Sequence, residues 1–183
     1  MKTAPFKRIV TGHNAAGKAI IAEDGPPPRV IDTGETMPLV YELWSTRETP
    51  ARVSRLMQEP AESPSLPPPP GGTRARIIDF PPDSRAADAT RDDIRNHFEA
   101  MGGHGIMDES DAPHKLMHRT QSVDIAIVLE GEIYCIVDEG ESLAKAGDVI
   151  VQCGTNHAWS NRTDKICRMA FFMIDGKFDG DIA

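Results

Sequence analysis

The chemistry this chain can offer is concentrated in two short stretches. His118, Thr120, Ser122 and Asp124 occupy alternate positions. In an extended strand alternate side chains point to one face, so an imidazole and a carboxylate share that face with two hydroxyls. Ala126 and Val128 continue the same parity, which makes the face polar at one end and apolar at the other. Turned inward, this is the layout of a small-molecule pocket. Further along, His157 and Trp159 share a face, placing an imidazole beside a flat apolar wall. Imidazole and carboxylate groups serve both metal ligation and proton transfer near neutral pH. Thr120 and Trp159 are candidates to line a substrate site. Arg76 and Arg168, on strand-like stretches, are candidates to bind a substrate carboxylate. Arg119 has the opposite parity to His118 and is expected to point outward.

These residues require a β framework. Strand patterns run over 125–129, 133–137, 149–152, 157–160 and 166–174, separated by turn residues such as Glu130-Gly131, Gly147-Asp148 and Gly154-Thr155-Asn156. Short strands with such turns mean an all-β barrel or sandwich. Another strand is expected over 74–80. Its core is expected to come from Val128, Val137, Val149, Val151 and Phe172. Upstream, a hairpin around His13–Gly17 and a strand over 39–44 form an N-terminal arm, residues 1–59. A proline-rich connector, 60–73, links it to the barrel unit, 74–183. One short helix is expected over 89–101, capped by Thr90 and stopped by Gly102-Gly103. Its apolar stripe of Ile94, Phe98 and Met101 is expected to pack on the outside of a sheet.

At this point the sequence resembles the cupins. His118, Thr120, Asp124 and Gly131 fall at the places of the family's first motif, His118 and Gly131 with its residue types. Gly147, Gly154, His157 and Asn161 match the second. The resemblance covers about residues 113–175. Thr120 stands where the family has a second histidine, Asp124 where it has glutamate, Ala112 where it has glycine and Cys153 where it has proline. The resemblance implies an all-β cupin jelly-roll (double-stranded β-helix) barrel, with extra N-terminal strands and one short helix. It implies His118, Asp124 and His157 as metal ligands and catalytic residues, facing one pocket. Two histidines and one carboxylate suit Fe(II), with Zn, Ni or Mn as alternative divalent transition metals. Thr120 cannot replace the missing imidazole as a strong ligand. The alternative is a site that has lost its metal and keeps the histidines as polar or acid/base groups. His114 is expected near the pocket rim and His104 in a solvated loop. His13 and His97 read as surface residues.

The formal charge of −8 and pI near 5.2 argue against nucleic acid and against anionic membranes as partners. No apolar run approaches the ~20 residues needed to span a bilayer, and no secretory signal opens the chain, so a cytoplasmic location is expected. Cys135, Cys153 and Cys167 form no CxxC pair and are expected to be reduced, buried and unreactive. Exposed strand edges favour a homodimer. Two functions follow. One is an enzyme acting on a small organic acid or aromatic compound, with dioxygenase, decarboxylase, dehydratase and isomerase chemistry all implied by the resemblance. The other is a non-catalytic small-molecule binding or sensing module.

Overall fold

The computed structural model describes residues 6–55, 64–108, 110, 112–180 and 182. The strands are β1 (Arg8–His13), β2 (Ala19–Gly25), β3 (Arg29–Ile31), β4 (Leu39–Thr46) and β5 (Thr73–Phe80), then the helix α1 (Arg91–Ala100). They continue as β6 (Ser122–Glu130), β7 (Glu132–Val137), β8 (Gly140–Lys145), β9 (Val149–Cys153), β10 (His157–Ser160) and β11 (Cys167–Asp175). A six-stranded sheet has the order β3-β4-β5-β11-β6-β9, a three-stranded sheet the order β10-β7-β8, and β1-β2 is a separate hairpin. The architecture is the jelly roll of a cupin.

Alternation builds the core. On β6, Ser122, Asp124, Ala126 and Val128 are buried while Val123, Ile125 and Leu129 face out. On β11, Met169, Phe171 and Met173 point inward against Ile78 and Phe80 of β5. Ile133, Ala144 and Trp159 from the smaller sheet close the same core. Burying such side chains stabilises by about 1.5–3 kcal/mol each. Gly131 joins β6 to β7 at φ 83°, and a Cβ there would meet the Cα of Cys167 at 3.2 Å, so the tight turn needs glycine.

Some expectations fail here for a physical reason. Val149, Val151 and Phe172 were expected in the core but lie on the outer face of the six-stranded sheet, about half exposed. Their apolar character hid the parity, because both faces of β6, β9 and β11 carry apolar residues. Cys153 shares that outer parity and is exposed, whereas Cys167 is fully buried and Cys135 half-buried; all three are free. Burial pushes the Cys167 thiol up to about 12. Of the N-terminal strands, β3 and β4 join the main sheet, β4 running antiparallel to β5, while β1 and β2 stay apart, and Leu66 of the proline-rich stretch is buried in the main core. Between them, α1 does not sit on the outside of a sheet. Its buried face of Ile94, His97 and Phe98, continued by Met101, packs into the core and closes one wall of the pocket. Thr90 caps it, its hydroxyl accepting from the Asp93 N–H while the Asp93 carboxylate accepts from the Thr90 N–H.

Candidate functional site

The pocket lies between the two sheets. Its cavity volume is about 60 Å³, and it opens to solvent on one side. His118, Thr120, Asp124, His157, Trp159 and Arg76 all line it, and so do His97 and Phe98 of α1.

The two motif histidines are cross-strand neighbours. The His118 N–H donates to the His157 carbonyl and the His157 N–H to the His118 carbonyl, both at 2.9 Å. This pairing turns both imidazoles to one face, with ring centroids 4.3 Å apart. Each ring is fixed from behind. His118 Nδ1 lies 3.0 Å from the Leu116 carbonyl and His157 Nδ1 lies 2.9 Å from the Thr155 carbonyl. A carbonyl only accepts, so Nδ1 carries the proton in both rings and Nε2 keeps its lone pair. Burial holds both imidazoles neutral, His118 at about 4 and His157 at about 3, where the neighbouring His118 depresses it further. Trp159, two residues along the strand, stands edge-on to His157 with centroids 5.6 Å apart.

Asp124 is buried, and its Oδ1 has no hydrogen-bond partner among the described residues. Burial raises its carboxyl to about 6, against the opposing pull of the Ser122 hydroxyl and Arg76. Arg76 sits opposite Glu42 across β4 and β5. Its Nη2 lies 2.9 Å from Glu42 Oε1 and donates to the Ser65 carbonyl at 2.9 Å, while Nε is buried without a hydrogen-bond partner among the described residues. Arg74 donates to the other Glu42 oxygen at 3.2 Å. Two buried guanidinium groups thus share the Glu42 carboxylate, and the Asp124 carboxylate lies within electrostatic range of Arg76.

Thr120 is buried, and its hydroxyl accepts from Ser122 at 3.0 Å. Arg168 does not reach the pocket. It points to the other face of β11, where it forms a two-point pair with Asp79 at 2.7 and 2.8 Å. Parity decides this: Met169, Phe171 and Met173 take the inward positions of that strand. Arg119 donates to the Gly154 carbonyl at 2.9 Å and stacks on Phe178. His114 lies outside the pocket lining, 3.9 Å from Asp83.

His97, read from sequence as a surface residue, is 2% exposed and lines the pocket. The signal was present in the spacing. Position 97 falls on the stripe of 94, 98 and 101, so whatever buries that stripe buries His97.

The implied ligand set is not assembled. Among the described residues no group of three or more His, Cys, Asp or Glu side chains is spaced to hold a metal ion. The His118 and His157 rings lie 4.3 Å apart, and the Thr120 hydroxyl is engaged with Ser122. The residues present therefore do not fit a three-ligand centre.

Known proteins resemble this chain along most of its length. The profile of the Cupin domain family matches residues 106–175. Phomopsin biosynthesis cluster protein C' of Diaporthe leptostromiformis is 32% identical over 180 residues, spanning 93% of this chain and 78% of that protein. The cupin-domain-containing oxidoreductase virC of Hypocrea virens is 30% identical over 178 residues, spanning 93% of this chain and 76% of that protein. A solved cupin superfamily protein from Desulfitobacterium hafniense gives a TM-score of 0.41 at 12% identity, covering 79% of this chain and 84% of that one. With a relative this similar along nearly its whole length, and with the two motifs meeting at one pocket, the chain belongs to the cupin-domain family.

Proposed function

We propose that the chain is an enzyme that binds a small organic acid in the His118–His157 pocket and moves a proton on it. The observation that carries this reading is the pair of unmatched polar atoms on a largely apolar wall, Arg76 Nε and Asp124 Oδ1. Leaving each unmatched costs about 1–3 kcal/mol. A carboxylate oxygen and a hydroxyl donor of one bound molecule supply what the two atoms lack. The Arg76 guanidinium offers a cationic donor to an anion, and Trp159 and Phe171 offer a flat apolar wall. The neutral imidazoles hold lone pairs at Nε2 and act as bases. Asp124, titrating near 6, is protonated in part near neutral pH and returns a proton. Removal of a proton by an imidazole and delivery of one by Asp124 is the proton balance of an isomerisation or a dehydration. Relatives named for biosynthesis clusters, and others named oxidoreductases, support an enzyme of small-molecule metabolism.

Calorimetry with a panel of small aliphatic and aromatic carboxylates tests binding, and ligand proton exchange in D2O followed by NMR tests the chemistry. At least one acid should bind, weaken tenfold or more in Arg76→Met, and exchange a carbon-bound proton with the wild type. Binding indifferent to Arg76→Met would refute the orientation, and binding without exchange would favour a sensing module.

A metal-assisted oxidoreductase is the second reading, favoured by the close, Nδ1-anchored pair. Metal analysis of untagged protein decides it: near-stoichiometric Fe, Zn, Ni or Mn, lost in His157→Ala, supports it, and metal-free active protein counts against it.

The homodimer also remains our proposal. Val123, Ile125, Val149, Val151, Phe172 and Ile174 are exposed on one face of the six-stranded sheet, the kind of contiguous apolar surface a second copy would cover.

A further inference from the structure

We propose that His97 is a substrate-contacting residue, a third imidazole that α1 lowers into the pocket beside His118 and His157 to hydrogen-bond the polar end of the bound acid. The inference rests on the pocket reading above and goes beyond it. No cupin motif includes this position, which lies on a helix outside residues 106–175.

Three observations carry it. First, His97 is one of the most buried polar residues of the chain and lines the pocket. A histidine on an otherwise apolar helix stripe among Ile94, Phe98 and Met101 loses solvation, and a leucine there would pack without that loss. Second, its ring is held from behind, as the other two are. Nδ1 lies 2.6 Å from the Thr33 hydroxyl. Third, Phe98 bridges the two groups, its ring 5.9 Å from His97 and 5.0 Å from His118. The helix therefore packs directly against one face of His118 and brings His97 to the same pocket. The Thr33 hydroxyl either donates to Nδ1 or accepts from it, so His97 can offer Nε2 as donor or acceptor. That versatility suits recognition of a hydroxyl or carbonyl. The class of ligand is thus bifunctional: a carboxylate toward Arg76 and a hydrogen-bonding group toward the imidazoles.

The test uses the full chain with benzoate and 4-hydroxybenzoate as probes, titrated by calorimetry into wild type, His97→Ala, His97→Gln and Thr33→Val. The wild type should prefer the hydroxylated acid by about 2- to 10-fold, the value of one neutral hydrogen bond. In His97→Ala the affinity ratio should fall to one. In His97→Gln, which keeps a donor and an acceptor, it should recover in part, and in Thr33→Val it should shrink. Thermal melts confirm that each variant is folded, and Thr33→Val keeps the test available if His97→Ala is not. A preference that survives both His97→Ala and Thr33→Val overturns the role of His97 while leaving the pocket reading intact. Failure of both acids to bind the wild type at millimolar concentration would overturn this inference together with the organic-acid reading on which it rests.

Discussion

Lowering the pH should unfold this protein by a route that the pocket dictates. His97, His118 and His157 are held neutral, near 4, 4 and 3, against an ordinary value of 6.5. A depressed histidine contributes stability that is complete above pH 6.5 and is lost as pH falls toward the folded value. Asp124, raised from 3.8 to about 6, acts in the opposite sense. Its contribution is complete below 3.8 and is lost as pH rises through 6. At pH 5 the unfolded chain binds roughly 0.9 more protons at each of the three histidines, while the folded chain binds roughly 0.9 more at Asp124. The difference is about two protons, and each is worth about 1.4 kcal/mol per pH unit. Stability should therefore fall by about 2–3 kcal/mol per pH unit between pH 6 and 4.5, a large part of a typical total of about 5–15 kcal/mol. Urea melts followed by tryptophan fluorescence at half-unit pH steps measure this slope. Replacing His157 by Gln removes the most depressed group and should lower the slope by about one proton. A flat profile between pH 6 and 4.5, or an unchanged slope in His157→Gln, would refute the claim that these rings are buried and neutral.

Asn161 is fully buried, donates to the carbonyls of Phe80 and Lys165 and accepts from Thr163, so Asn161→Ala should cost about 2–4 kcal/mol in denaturant melts. Native labelling with a thiol reagent should modify Cys153 first and leave Cys167 untouched until the protein unfolds; equal rates at all three cysteines would contradict the strand parity of β9 and β11. Phe172→Glu should convert the proposed dimer to monomer by light scattering while shifting the melting temperature of that monomer little, because the side chain is 46% exposed. A wild type that runs as a monomer at micromolar concentration would remove the dimer.

The barrel and its inner face were legible because alternation is a local signal. His118 to Val128 carries its parity in the sequence, and β6 adopts it. Where both parities are apolar the signal vanishes, and Val149, Val151 and Phe172 were read to the wrong face. The edge strand β8 was not anticipated. Its Gly-Glu-Ser-Leu-Ala-Lys stretch buries only Ala144, so little hydrophobic patterning was available to mark it. The pocket was legible only on its barrel side. His118, Asp124 and His157 stand out by type and motif position, but Pro38 and Val40 reach the cavity beside the pairing of β4 with β5, and Leu66 reaches it from the connector, through long-range contacts that no local pattern encodes. His97 was lost for a simpler reason: a polar residue on an apolar stripe was assigned by its type and not by its place.

The central claim is that neutral imidazoles open their Nε2 atoms to an organic acid in this pocket. The most direct measurement is a long-range 1H–15N spectrum of the histidine side chains at pH 7, recorded before and after adding an acid found to bind by calorimetry. His118 and His157 should appear as neutral rings with the proton on Nδ1, and their Nε2 signals should move on titration. Protonated rings, protons on Nε2, or Nε2 signals that stay fixed when the acid binds would contradict the claim.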